Sequence, residues 1–379
     1  MRRVRALLAS GLLLSTIIAP PLLLAETTGG CVRVQDILQR VEAIRGQRSL
    51  KPLACESLDS DQLRARLESM QHSAVSRAAL ENFEAVFKAV GFIPPNYPYA
   101  RCEKEGAADW IWAVYDRRNR KILLRSDVEA PDSIIAHEIV HALQDQRYPL
   151  QNLQARVNSF DQDLALAALI EGDAVRIEEH FASNPGSGLS GGATVVDSTC
   201  APPAALLNLK LFPYEWGSRF ISLEQENLQY AFASPPQTSA QILYPKQKPS
   251  PSSAPHPAKK RLLGYVLIAE DSLGEFFLRN LLKTYLDPKQ AILAAKGWRA
   301  DRIALYRNSA GHSAVRWELH FESSRDVDQL RLALADYAHR RLDIRIEPSA
   351  RRWQAKTSEG FSLSAVLAET SVTLLFGNT

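Results

Sequence analysis

Beyond its first 25 residues the chain has no apolar run long enough to cross a bilayer, little net charge and only four cysteines. Each shortage excludes something. Without a second span-length segment, the chain has no stable membrane span once an N-terminal signal is removed. A net charge of +3 over 379 residues argues neither for nucleic acid nor for an acidic substrate. Cys31, Cys55, Cys102 and Cys200 are too scattered for a zinc–thiolate site. They are even in number, so two disulfides are expected in an oxidising compartment. Of the three pairings, Cys31–Cys55 with Cys102–Cys200 is favoured.

What is present begins with an address. Arg2, Arg3 and Arg5 precede an apolar stretch from Ala6 to Ala25. A basic head before a short apolar core predicts a secretory signal over residues 1–25, with cleavage after Ala25 and a periplasmic or secreted product. Lipidation at Cys31 and an uncleaved anchor rank behind this.

The stretch that organises the chain is His137-Glu138-Ile139-Val140-His141. It lies in a run from Asp132 to Gln146 with no Gly or Pro inside, Pro131 before it and Pro149 after it. That punctuation predicts one helix. Residues four apart project from one helical face, so both imidazoles can converge on one metal ion with Glu138 on the flank. The arrangement is His-Glu-x-x-His: two zinc ligands and a carboxylate able to act as general base on zinc-activated water. Ile134, Ile135, Ala136, Ile139, Val140, Ala142 and Leu143 make this helix apolar nearly all round, which predicts burial. Buried His and Glu need partners, and a metal ion supplies one.

A catalytic zinc takes three protein ligands and leaves a position for water. Glu171, in Leu169-Ile170-Glu171-Gly172-Asp173-Ala174, is the expected third ligand. It sits in an apolar helical stretch over 161–183, where an unpaired carboxylate is costly. Asp161 or Asp163 is expected to cap that helix. Gly172 removes a side chain where another backbone must come close. Glu178, Glu179 and His180 read as the exposed polar end of the same helix. Asp145 and Asp173 either take the second ring N–H of a ligating histidine or lie on a solvated helix face. Tyr214 and Tyr306 are the candidates for an oxyanion donor; packing in the core or on the surface is the competing role of each.

His-Glu-x-x-His followed by Glu-Gly-x-Ala on a later helix resembles the gluzincin metallopeptidases, the broad group that includes thermolysin and many aminopeptidases. The resemblance covers residues 130 to 183. It implies zinc held by His137, His141 and Glu171, with Glu138 as the base. Two departures stand out: the gap from His141 to Glu171 is longer than thermolysin's, and Val175 occupies the position of an Asp four residues after the third ligand. The whole chain is also similar to exported bacterial proteins with a His-Glu-x-x-His-Ala-Leu-Gln-Asp helix and a Glu-Gly-Asp-Ala helix.

The remaining patterns organise the chain around this site. Residues 26–95 read as a small helical subdomain, with helices over 32–45, from Asp59 or Ser60 to His72, and from Val75 to Val90. Trp110 to Arg125 reads as a β-hairpin turning at 116–120, within a zincin-like core over 96–233. A strand near the metal in such cores offers its edge to an extended peptide. Helical segments are expected over 201–211 and 215–232, and a loop over 184–198. Residues 234–260, rich in Pro and Ser, read as a flexible segment. The C-terminal part, 261–379, alternates helices and strands. Gly297-Trp298 with Asp301-Arg302 reads as a structural turn with an ion pair. The expected fold is α+β and mostly helical, a zincin-like core with a C-terminal α+β sheet unit. The expected function is an exported zinc metallopeptidase acting on peptide or protein substrates. The alternative is a non-catalytic zincin-fold module binding a partner in the cell envelope.

Overall fold

The structure, a computed structural model, describes residues 29–71, 77–105, 111–181, 198–224, 228–246 and 262–378. The expected signal over 1–25 lies outside them, as do nearly all of the 184–198 loop and residues 247–260.

Helix α1 (Gly29–Arg45) buries Val34, Ile37, Leu38 and Val41, one face at helical spacing. Strand β1 (Ala54–Leu58) follows, where no strand was expected. Helix α2 (Ser60–Gln71) starts at a reciprocal cap: Asp59 Oδ1 accepts the Gln62 N–H at 2.8 Å, and Gln62 Oε1 accepts the Asp59 N–H at 3.1 Å. Helix α3 (Arg77–Ala89) stops at Gly91, whose φ of 71° suits only a residue without a side chain. A short α4 (Tyr99–Glu105) leads to the hairpin of β2 (Ala113–Asp116) and β3 (Lys121–Arg125). β3 is central in a three-stranded sheet, antiparallel to β2 and parallel to β1, so β2 is an edge.

Next come α5 (Asp132–Arg147), α6 (Leu150–Gln154) and α7 (Phe160–Glu178). α5 carries the His-Glu-x-x-His motif. The cap of α7 is Ser159, whose Oγ accepts the Gln162 N–H, and not Asp161 or Asp163. Asp161 is instead buried and accepts the Ser239 N–H at 2.9 Å. The two helices expected over 201–211 and 215–232 are divided elsewhere: α8 (Ala204–Leu223) runs through Pro213, and α9 (Leu228–Ala233) follows. Pro213 lacks an N–H, so one helical bond is missing, and burial of α8 against α7 holds the helix together there. Helix α10 (Ser239–Leu243) buries Ser239, Ile242 and Leu243, so the segment expected to be flexible is packed as far as this helix.

The C-terminal part contains β4 (Tyr265–Asp271), α11 (Gly274–Lys283), α12 (Pro288–Ala295), β5 (Trp298–Asn308), β6 (Ser313–Phe321), α13 (Ser324–Leu342), β7 (Arg352–Lys356), β8 (Phe361–Leu367) and β9 (Ser371–Asn378). Its six strands form one antiparallel sheet in the order β4-β5-β6-β9-β8-β7. The fold is therefore α+β with two sheets. Asp301 lies in β5, buried, accepting N–H groups of Leu273 and Gly274 and the Trp317 indole N–H. Arg302 pairs with Glu270 on the neighbouring strand, so the expected local ion pair is a cross-strand one.

Two apolar clusters share α7. Its first half, Leu164 to Ile170, joins a large core made with α3, α8, α11 to α13 and one face of the six-stranded sheet. Its last turns, through Ala174 and Ile177, join α5, α1, β2 and β3. Glu171 sits where the two clusters meet. Among the described residues of 26–95, α1 packs on α5, α2 forms a small cluster with β1 and β3, and α3 enters the large core. Both disulfides pair as expected, Cys31–Cys55 and Cys102–Cys200. No helix among the described residues is long and apolar enough to cross a membrane.

Candidate metal centre

The site is built by three helices and one hairpin. α5 presents His137 and His141 from one face, one turn apart, with ring centroids 4.7 Å apart. α7 crosses α5 and brings Glu171 to both rings: Glu171 Oε2 lies 3.1 Å from His137 Nε2 and 3.3 Å from His141 Nε2. α8 is pressed against α7 at Gly172, where an added Cβ would fall 2.1 Å from the carbonyl carbon of Gly217. The close approach predicted at Gly172 is thus to α8, not to the motif helix. It also places Tyr214 beside the site, its ring stacked 6.3 Å from that of His137.

His137, His141 and Glu171 form a buried group able to hold a metal ion, with all three ligand atoms within 4.8 Å of one another. Ligand atoms around a tetrahedral zinc at 2.0–2.1 Å stand about 3.3 Å apart, so the two His–Glu separations fit that ion without rearrangement. The opposite ring nitrogens are held too. His137 Nδ1 lies 2.9 Å from Glu178 Oε2, and His141 Nδ1 lies 3.0 Å from Gln144 Oε1. Gln144 Nε2 in turn donates to Asp173 Oδ2, and Asp173 is paired with Arg45 of α1. Both imidazoles are therefore fixed with Nε2 toward Glu171, the orientation that ligation requires.

These partners revise the sequence reading. Glu178 is buried and holds His137, whereas Glu179 and His180 are exposed. The seven-residue spacing from Glu171 put both carboxylates on one helical face, a signal that was legible but unused. Gln144, three residues after His141, was missed because an amide carries no charge to attract notice. Asp173 acts through Gln144. Asp145 accepts the Tyr115 hydroxyl and the Leu150 N–H and touches neither histidine.

Burial sets the electrostatics. It would drive the His137 imidazolium to lose its proton, but bonds to Glu171 and Glu178 and the surrounding negative charge outweigh it, pushing the pKa up to about 10. Burial opposes ionisation of Glu171 as well, yet His141 and His137 more than reverse this and hold its carboxyl well below the usual range. Strong coupling of this kind is what a dry site with a clustered ligand set produces. Glu138 takes no part in the ligand group. Its Oε2 accepts the Tyr115 N–H of edge strand β2 at 2.7 Å, and burial raises its carboxyl pKa despite the histidines.

Two further side chains face Glu171 and Glu138. The Tyr214 phenol is held well above its ordinary pKa, first by the Glu171 charge and then by burial, so it stays a proton donor. Arg117, just past the end of β2, is 8% exposed; burial lowers its pKa, and the negative charges of Glu171, Asp145 and Glu138 oppose that. Tyr306 is not at the site. It lies on β5 in a separate small cluster with Ala304 and Ala314, because strand alternation turns it to the sheet face away from the large core.

Residues 261–379 match the family model of a domain of unknown function (DUF8575). The match covers the six-stranded sheet and its helices and includes none of the site residues. No curated protein and no solved structure matches the chain.

Proposed function

We propose that the protein is an exported zinc-dependent metallopeptidase. The observation that carries the reading is the convergence of both motif imidazoles on one Glu171 oxygen, with each opposite ring nitrogen held by a buried partner. A purely structural zinc site is closed by four protein ligands, whereas three ligands beside a free carboxylate is the catalytic pattern. When bound, zinc supplies a Lewis acid and lowers the pKa of a water molecule.

The chain's own residues supply the rest. Glu138 has one oxygen tied to the Tyr115 N–H, which orients the other to take a proton from the attacking water and return it to the leaving nitrogen. Burial makes it a stronger base than a solvated glutamate. β2 is an edge strand beside Glu138, so an extended peptide can add to it and be held along the site. Tyr214 supplies a neutral donor from the α8 side. Two disulfides agree with an oxidising, extracytoplasmic setting.

The deciding experiment is metal analysis of the mature protein beside His137→Ala, Glu171→Ala and Glu138→Gln. His137→Ala and Glu171→Ala should lose zinc. Glu138→Gln should keep zinc and lose hydrolysis of an unbiased peptide library. Full zinc occupancy in Glu171→Ala would remove Glu171 from the ligand set. A wild type that takes up zinc yet cleaves nothing would leave a binding module.

A further inference from the structure

Arg117 is the one charged group at the site whose presence the ligand set does not explain. It is buried, yet no hydrogen bond and no ion pair within 4.0 Å joins its guanidinium to any group among the described residues. A guanidinium in a residue only 8% exposed that has no protein acceptor among the described residues keeps its N–H donors available to a ligand or water. Taking a guanidinium out of water costs several kcal/mol unless something nearby repays it.

Its backbone is held on both sides. Tyr115 N–H is bonded to Glu138, two residues before it. Asp116, fully buried, accepts the N–H groups of Arg118 and Asn119 at 3.0 and 3.1 Å, closing the turn around Arg117. The guanidinium is therefore presented from a rigid hairpin corner two residues beyond Tyr115, whose N–H holds Glu138 and whose hydroxyl holds Asp145, and the charges of Glu171, Asp145 and Glu138 act on it. Tyr214 faces the same two glutamates together with Glu178, from the α8 side. The two donors thus come from different elements, Arg117 from the hairpin and Tyr214 from α8, where its ring stacks on His137.

We infer that Arg117 is a catalytic residue: its unpaired guanidinium binds the oxygen of the scissile carbonyl and stabilises the negative charge that develops there. This rests on the hydrolase reading above. A fixed cation next to the reacting carbonyl needs no reorganisation as charge forms, and a charged donor is roughly twice as strong as a neutral one. Arg117, not Tyr214, then carries most of the oxyanion stabilisation. The sequence masked it, since Arg117 begins the run Arg117-Arg118-Asn119-Arg120-Lys121, which reads as a solvated turn.

The test uses the full mature chain loaded with zinc. Arg117→Ala and the shorter, polar but neutral Arg117→Gln should keep full zinc and the wild-type melting temperature. Both should lower kcat by about 100-fold or more with KM changed only a few-fold, the loss typical of removing an oxyanion donor. Added guanidinium ion should restore part of the Arg117→Ala activity. A phosphinic dipeptide, a tetrahedral anion, should bind both variants about 100-fold more weakly by calorimetry, in line with the lost donor. Tyr214→Phe should lose less than either. Unchanged kcat and phosphinate affinity in Arg117→Gln would overturn the assignment. So would a defect confined to peptides with a free C-terminal carboxylate and absent from amidated ones, which would make Arg117 a carboxylate-recognition residue. Loss of zinc in both variants would make it structural. A wild type that binds zinc and cleaves no peptide overturns the hydrolase reading itself, a failure distinct from any of these.

Discussion

Gly172→Ala is the sharpest perturbation of the framework that holds the site. A methyl at this position would lie 2.1 Å from the Gly217 carbonyl carbon, 2.4 Å from its oxygen and 2.6 Å from its Cα, all backbone. Carbon atoms in contact stand about 3.5 Å or more apart, so α7 and α8 would have to part by roughly 1.4 Å. No rotamer change can absorb this, because the obstacle is a helix backbone. Overpacking of this kind costs about 1–3 kcal/mol, and a gap of about 1 Å forfeits a quarter to a half of the dispersion energy along the contact. Against it stands the gain of about 1 kcal/mol for Ala over Gly in a helix. The net expectation is a loss of up to about 2 kcal/mol, a fall in Tm of roughly 2–3 °C for a chain of this length. Gly217→Ala meets Ala168 O at 2.2 Å and should behave alike, and the double variant should lose less than the sum because the helices part only once. Gly30→Ala, also helical but with only an ordinary 3.5 Å contact to Leu124, is the control and should be neutral or slightly stabilising. Since Glu171 adjoins Gly172 and Tyr214 precedes Gly217 on α8, zinc affinity should fall along with stability. Thermal melts and zinc titration of the four variants measure this. A Gly172→Ala protein as stable as the wild type would refute the close-contact argument, since the helix-propensity gain would then stand unopposed.

Glu178→Ala should weaken zinc binding by about 10- to 100-fold through loss of the group that orients His137, with the fold intact, as read by competition with a chelator. Retained affinity would show that His137 needs no such partner. Asp161 supplies a pH test away from the metal. Its carboxyl, buried against α10 and α11, is pushed up to about 7 by burial. The folded pKa exceeds the unfolded value near 4, so the folded state binds the extra proton between the two. Its contribution is fully present below about pH 4 and lost as pH rises through about 7. Asp161→Asn should therefore match the wild type at pH 4 and exceed it at pH 8, by up to about 4 kcal/mol. An equal Tm for both proteins at pH 8 would show that Asp161 ionises in the fold without cost.

Part of the site was legible because it is local. His137, Glu138 and His141 lie within five residues, and helical spacing alone puts both imidazoles on one face. Glu171 was legible for a different reason: a carboxylate beside a glycine in an apolar helix demands a partner and a close neighbour. The hairpin, the C-terminal strands β5 to β9 and the presence of two disulfides were also accessible, from alternation, turn residues and counting, while the choice among three pairings was decided by the fold. β1 and β4 were not, as neither has strong alternation and each becomes a strand by pairing with a partner distant in sequence.

The sequence by itself therefore determined the two-histidine face, the glutamate beside it, the carboxylate that meets it and the even cysteine count, because each depends on spacing along one element or on residue chemistry. Only the tertiary structure decided how those pieces meet. It put Glu171 at the junction of two cores, turned Glu178 and Gln144 inward to hold the rings, and brought α8 to Gly172 so that Tyr214 faces His137. It also excluded Tyr306 and exposed Arg117 as an unpaired cation at the hairpin corner. Those outcomes depend on which surfaces of distant elements pack together, and a helix face or strand pattern does not encode its partner.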